Sequence, residues 1–342
     1  MVTLESSRRC RRRLDCSLDS LANPDLRALS KLPQPVGIDH DSVFHQDWWA
    51  EAACPGQWSK ITCHRDNLKV AEFTYSVRKR FGFTEIGHPF LARTMEPRIW
   101  LPPAKSITQL TNLVSIITEI RDQLPPHDLF WYNLPPGNLL ELPYELAGYT
   151  IESSYTFRSL PDEQQAWDGM DAKTRNRIRT AQRLMHIEEH ADIERFISLS
   201  KRFVSARSWR NGMDTETIRR VFEACNSRGL AQIVTAVNEK GEDLAAAILL
   251  GDDRHVYFWM SARDPSTSLG SAVSLVIWHA IQWSISRNLV FDMDGYASPA
   301  AGVFYAKFGL VPARRTHVRW ASDSQKWMTH VTKMTRQLLK RR

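Results

Sequence analysis

From Lys105 to Leu124 the apolar residues Ile107, Leu110, Leu113, Val114, Ile117 and Ile120 recur at helical spacing until Pro125-Pro126 stops them. The pattern predicts one long helix with Ser106 as its cap. Upstream, Ser42 is placed to cap a helix through FHQDWWAEA, and WSKITCH, LKVAEFTYSV and FGFTEI alternate as short strands of an antiparallel sheet. LFWYNL then reads as a buried strand, and ELPYELAGYTIESSYTF as a short helix ending at Gly148 with a strand behind it. Helical periodicity fills about 162–186, 191–207 and 214–228, followed by strands AQIVTAV, EDLAAAILLG and HVYFWMS. The earlier order then returns: a helix from about Ser268 to Arg287, strand LVFDM, a short helix to Gly309 and strand VPARRTHVRW. Tyr144 stands four residues before Gly148, as Tyr305 does before Gly309. This is an internal repeat.

A chain of 342 residues suits two domains, and 43% hydrophobic residues with twelve Trp supply material for two cores. The longest apolar runs, such as Leu244–Leu250, fall far short of the roughly 18 to 20 residues of a membrane span. No apolar segment follows the N-terminal Arg run, so it does not resemble a secretory signal. Five Cys without CxxC spacing indicate reduced thiols and no zinc site. The net charge of +7 resides at the ends: residues 1–13 carry +4 and residues 333–342 carry +5, leaving about −2 between them. The body is close to neutral, so no stable nucleic-acid complex is expected. The tails are either solvated or in contact with an anionic surface. Residues 1–38, rich in Arg and Pro, are expected to be disordered.

A strand opening beside a helix N-terminus suggests a group-transfer site, because free backbone N–H groups and the helix dipole suit a phosphate. Here the strand is His255–Ser261, including Trp259, Met260 and Ser261, and the helix begins around Ser268, Leu269, Gly270, Ser271, Ala272 and Val273, preceded by Arg263. Gly270 permits close approach; it serves an ordinary helix start equally. Transfer of a group to a nucleophile such as an amine needs one base and one acid. Asp292 and Asp294, two apart at a strand end, are expected on one face with Met293 opposite, where repulsion raises one pKa. Asp294 is the candidate for the amine and Asp292 for an orienting acid, while a simple capping pair is the other reading. Arg175, Arg179 and Arg183 form one stripe on a helix, open either to a bound anion or to solvent.

The stretch Ser298-Pro-Ala-Ala-Gly-Val-Phe-Tyr-Ala-Lys-Phe-Gly-Leu310 resembles the closing segment of GNAT acyltransferases, whose helix carries a Tyr four residues before Gly and then enters a strand. With FHQDWW early, TRNRIRTAQR in the middle and FDMDG late, residues 40 to 322 look like the FemAB-type branch, which has two GNAT-like halves. The resemblance implies an α+β fold of two tandem GNAT-like domains, each a mixed, mostly antiparallel sheet flanked by helices. Residues 39–158 would be a degenerate first domain shaping the acceptor cleft, 159–325 the domain holding acyl-CoA, and 326–342 a basic C-terminal helix or tail. It further implies that Tyr305 protonates the departing thiolate, and that Arg175 and Arg179 lie beside an acceptor cleft. The implied activity moves an acyl group other than aminoacyl from acyl-CoA, without a metal, to an amine of a cell-envelope, polysaccharide or related small-molecule precursor. The setting would be cytoplasmic, with membrane-peripheral tails. Fem peptidyl transferases that use aminoacyl-tRNA read FKxxFG where this chain has Phe304-Tyr305-Ala306-Lys307-Phe308-Gly309, and commonly DFEGS where it has Asp292 to Gly295. Transfer from aminoacyl-tRNA and a non-catalytic binding module are the alternatives. The absence of a glycine beside Ser106 predicts one donor site per chain.

Overall fold

The alternating segments of the first half form β1 (Trp58–Arg65), β2 (Leu68–Arg80), β3 (Phe83–Gly87), the two-residue β4 (Arg98–Ile99), β5 (Leu129–Leu134) and β6 (Thr150–Arg158). The computed structural model describes residues 42–80, 82–206, 214–265, 270–296 and 298–325. The segments 1–38 and 326–342 lie outside these, as do Ser268 and Leu269. The helical periodicity produces α1 (Asp47–Ala53), α2 (Ser106–Gln123) and α3 (Glu141–Leu146) in the first half. The second half holds α4 (Glu163–Asp168), α5 (Ala172–Leu184), β7 (Met185–His190), α6 (Ile193–Ala206), α7 (Thr215–Asn226), β8 (Ala231–Asn238), β9 (Asp243–Gly251) and β10 (His255–Arg263). It ends with α8 (Gly270–Ile285), β11 (Val290–Asp292), α9 (Pro299–Ala306) and β12 (Val311–Ala321).

Three local expectations change. The helix expected to continue to 186 stops at Leu184, and Met185–His190 pairs with β8 instead. Its alternating Met185 and Ile187 face the core, which favours a strand over another helical turn. Ser106 is the first helical residue and not its cap; Lys105 precedes it without a side-chain cap. Ser42 bonds the Nδ1 of His45 across a short 3₁₀ turn, Val43–His45, in place of a backbone N–H.

All strands join one mixed sheet in the order β1-β2-β3-β5-β12-β6-β11-β10-β9-β8-β7, with β4 beside β2. Two neighbouring pairs are parallel, β3 with β5 and β10 with β11, and each is followed by a short helix and a return strand. The return strands are exchanged: β6 reaches β11, where Arg158 opposes Asp292, and β12 inserts between β5 and β6. Arg315 opposes Ser154 in that pairing, and each follows the helical Tyr of its own half by ten residues. A pseudo-twofold axis therefore passes through the β6–β12 pair.

Apolar side chains divide into three cores. One lies under α2, with Phe73, Phe130 and Tyr132 from the first half. The others cover the two faces of β8–β10: Val256 and Phe258 meet α8, whereas Tyr257 and Trp259 meet α1, α6 and α7. Burial on both faces explains why Leu244–Leu250 is continuously apolar. Among the described residues no helix is long and apolar enough to cross a membrane.

Candidate active site

The parallel register of β10 with β11 ends at Tyr257 opposite Asp292. Beyond that point β10 continues against β9 alone, and a bulge between Phe258 and Met260 leaves Trp259 outside the register. The two strands therefore separate. Where they part, Arg93 from the first half reaches in, its Nη2 donating to the Trp259 carbonyl at 2.6 Å and its Nε forming a 3.2 Å ion pair with Asp294 Oδ2.

On the α8 face of the sheet lies a cavity of about 590 Å³. Ser261, Ala262 and Arg263 of β10, Gly270, Val273 and Val276 of α8, and Ser298, Phe304 and Tyr305 around α9 all line it. Arg177 of α5 joins them, and Arg263 lies 5.8 Å from the Phe203 ring. Among the described residues neither Arg177 nor Arg263 pairs with a carboxylate. Tyr305 is half-buried against the core, and that burial raises its pKa. The helix start and Tyr305 thus share one cavity, although they are far apart in sequence.

Several expected contacts fall elsewhere. The Trp259 side chain is 1% exposed on the opposite face, donating its Nε1–H to the Leu91 carbonyl at 3.0 Å, and Met260 packs on that face too. Ser271 and Ala272 point into the core, so only their backbone N–H groups are oriented toward a ligand at the helix start. Arg175 is tied by its Nη1 to the carbonyls of Trp167, Asp168 and Met170, at 2.7 to 3.3 Å, and closes the end of α4. Arg179 stacks 5.4 Å from the Trp167 ring. Arg177 takes the cavity position because two residues turn a helix by about 200°. The stripe was legible in sequence, but which face met the cavity was not.

Neither aspartate lines the cavity of Tyr305. Asp292 is fully buried. It accepts from Thr156 Oγ1 at 2.5 Å, Arg158 Nε at 2.8 Å, Arg315 Nη2 at 3.3 Å and the Asp294 N–H at 2.7 Å. Burial pushes its pKa up, but Arg315, Arg158 and Thr156 outweigh this and hold the carboxyl below the usual range. Asp294 has left the strand, with φ +58°, and Gly295 follows at +91°. Their carboxylates are brought together by Arg315 and not by strand alternation; its Nη2 donates to Asp294 Oδ1 at 2.8 Å. Among the described residues Asp294 Oδ2 accepts no hydrogen bond, since its contact with Arg93 has only ion-pair geometry. Burial raises the Asp294 pKa to about 6 against the pull of Arg315 and Arg93, and Asp292 contributes less than burial does. Arg93 and Arg315 escaped sequence reasoning because both reach the site from distant strands and loops, with no local motif.

The same construction in the first half is closed. β3 and β5 part after Gly87 opposite Trp131, but the Trp131 ring fills the gap: a Cβ on Gly87 would lie 2.7 Å from its Cε2. The His88 ring packs 4.4 Å from that of Trp131, and burial lowers its pKa to about 4. Tyr144 is fully buried, with no partner for its hydroxyl among the described residues.

Residues 170–299 match the family described as Acetyltransferase (GNAT) domain. No curated protein matches the chain in sequence. Among solved structures, FemX superposes with a TM-score of 0.63 at 10% identity, over 85% of this chain and 95% of that one. The C-terminal domain (DUF2156) of a chain described as a lysylphosphatidylglycerol synthetase from Agrobacterium fabrum gives 0.53 at 13% identity, over 82% and 90%. A tandem GNAT protein from the clavulanic acid biosynthesis pathway gives 0.51 at 10% identity, over 86% and 91%. Residues 170–299 are thus similar to a GNAT acetyltransferase domain, and the chain shares its fold with FemX and with the tandem GNAT protein.

Proposed function

We propose that the protein is an N-acyltransferase that moves an acyl group from acyl-CoA to an amine of a cell-envelope, polysaccharide or related small-molecule precursor. The observation that carries this reading is the 590 Å³ cavity, which joins the open strand β10, the start of α8, two arginines that pair with no carboxylate among the described residues, and Tyr305. In this reading the pyrophosphate lies against the backbone N–H groups at Gly270, with Arg177 and Arg263 supplying charge. The pantetheine arm follows Phe258 to Ser261, and the thioester reaches the point where the strands part.

The amine nitrogen attacks the thioester carbonyl carbon, forming the C–N bond as the C–S bond breaks. Tyr305, whose raised pKa keeps its proton at neutral pH, gives that proton to the leaving thiolate. Asp294, at about 6 and placed outside the Tyr305 cavity where Arg93 meets the parting strands, takes the proton released by the amine, and solvent restores both groups. Residues 39–158 shape the acceptor side and 159–325 hold the donor. Transfer is direct in this reading; among the described residues Cys54, Cys63 and Cys225 are buried with thiol pKa values pushed up, the last two to about 12.

The likeness to FemX favours a second reading, Fem-type transfer from aminoacyl-tRNA; Tyr305 in place of the Fem lysine argues against it. A thermal-shift series with acetyl-CoA and longer acyl-CoAs tests the donor. Ligand at a hundredfold its Kd adds about 2.7 kcal/mol of apparent stability. No shift with any acyl-CoA, together with tRNA retention on filters that weakens steeply with salt, would overturn the proposal in favour of the Fem reading.

A further inference from the structure

A second cavity, of about 220 Å³, lies on the other face of β10, lined by His255 and Tyr257 where the first is lined by Phe258. Its remaining walls come from the first half and its border: Ser42, His45, Thr94, Glu96, the Pro135–Gly137 turn and Arg158. Thr94 and Glu96 share a loop with Arg93, so the cavity adjoins the place where the strands part.

Among the described residues, two of its side chains carry polar atoms without a partner: Glu96 Oε2 and the Nη pair of Arg158. Glu96 is 4% exposed, and its Oε2 meets no hydrogen-bond donor among the described residues. Burial alone lifts its pKa to about 8, and no cation acts on it to bring the value down. His45 does not serve as that cation, since its ring faces Ser42 and the Glu96 backbone. Tyr257 is turned to Asp252. Arg158 spends only its Nε on Asp292, and its two Nη nitrogens have no partner among the described residues. Behind it, Arg93, Arg158 and Arg315 face two carboxylates, Asp292 and Asp294, which leaves one positive charge unmatched. A guest that completes both ends carries a cation for Glu96 and an anion for Arg158.

We propose that this cavity is the acceptor subsite and takes a small primary amine that also bears an oxyanion, its amino group against Glu96 and its oxyanion against Arg158. The assignment rests on the acyl-transfer reading for the word acceptor; the binding chemistry itself does not. The test is a thermal-shift titration of the full chain with 2-aminoethyl phosphate, ethyl phosphate and ethylamine, with and without acetyl-CoA. The bifunctional compound is expected to bind about tenfold or more tightly than either single-charge control, and Glu96→Gln to reduce it to the level of ethyl phosphate. Acetyl-CoA should bind Glu96→Gln as it binds the native chain, which shows that the variant is folded. Equal affinity for all three compounds, no binding by any, or an unchanged preference in Glu96→Gln overturns the proposal. A preserved preference without acetyl-CoA binding overturns the acyl-transfer reading and leaves the cavity assignment standing.

Discussion

The two halves of the chain build the same device and finish it differently. In each, two parallel strands part, a helix follows, and a tyrosine sits four residues before a glycine. At the last registered pair the first half has Gly87 opposite Trp131, and the second has Tyr257 opposite Asp292. A large apolar ring closes the first opening; a carboxylate held by two arginines leaves the second framed by charge. The tyrosines follow suit, with Tyr144 sealed in the core and Tyr305 on a cavity wall. A fold duplicated in one chain keeps its backbone pattern through hydrogen bonding, while a few side chains decide whether the gap between strands is filled.

The comparison breaks most readily at Asp292. Asp292→Asn leaves Arg158 and Arg315 facing an uncharged group in the interior, with an expected loss of about 3–5 kcal/mol in urea unfolding; a loss below about 1 kcal/mol would mean that the ionic frame is not what distinguishes the second half. Next comes the tyrosine pair. Tyr305→Phe is expected to lower the turnover number by about 10²- to 10⁴-fold with acyl-CoA affinity unchanged. Tyr144→Phe, which removes a buried hydroxyl without a partner, should leave turnover alone and raise stability by about 1 kcal/mol.

The terminal glycines sharpen the contrast further. Gly309 and Gly148 both have positive φ, but a Cβ on Gly309 would meet the Ala166 carbonyl oxygen at 2.5 Å, whereas nothing lies near Gly148. Gly309→Ala should cost about 3 kcal/mol or more, and Gly148→Ala about 1–2 kcal/mol, in parallel denaturation curves.

A further effect is in pH. Glu96 has a folded pKa raised from 4.5 to about 8, so between those values the folded chain binds more protons than the unfolded one. Stability therefore falls as pH rises through that window, by up to about 1.4 kcal/mol per pH unit. Glu96→Gln removes this slope, so the variant gains on the native chain from pH 5 to pH 8. A constant difference between the two would show that the first half contributes no strained carboxyl to the site.

The elements were legible because short-range periodicity and turn residues act locally. The bounds of α2, β5 and β6 follow directly from Pro125, from LFWYNL and from the strand behind Gly148. The segment 185–190 was not, since a helical period running through Leu184 masks a strand that depends on pairing with β8. Gly270, Ser261, Arg263, Val273 and Tyr305, all singled out in the sequence, line one cavity. Arg175 and Arg179 were not separable from Arg177, because the face a helix turns inward depends on what packs against it. Trp259 keeps the face of Tyr257 by strand alternation, and a bulge that no residue type announces turns Met260 to that face as well.

By itself the sequence determined the succession of strands and helices, the repeated tyrosine and glycine, and the basic tails, all of them properties of neighbouring residues. Only the tertiary structure decided that β6 and β12 change places, that Arg93, Arg158 and Arg315 gather on Asp292 and Asp294, and that Glu96 ends in a cavity without a cation. Those outcomes depend on burial and on charges meeting across distant strands, and a charge acquires its meaning in a protein from what surrounds it after folding.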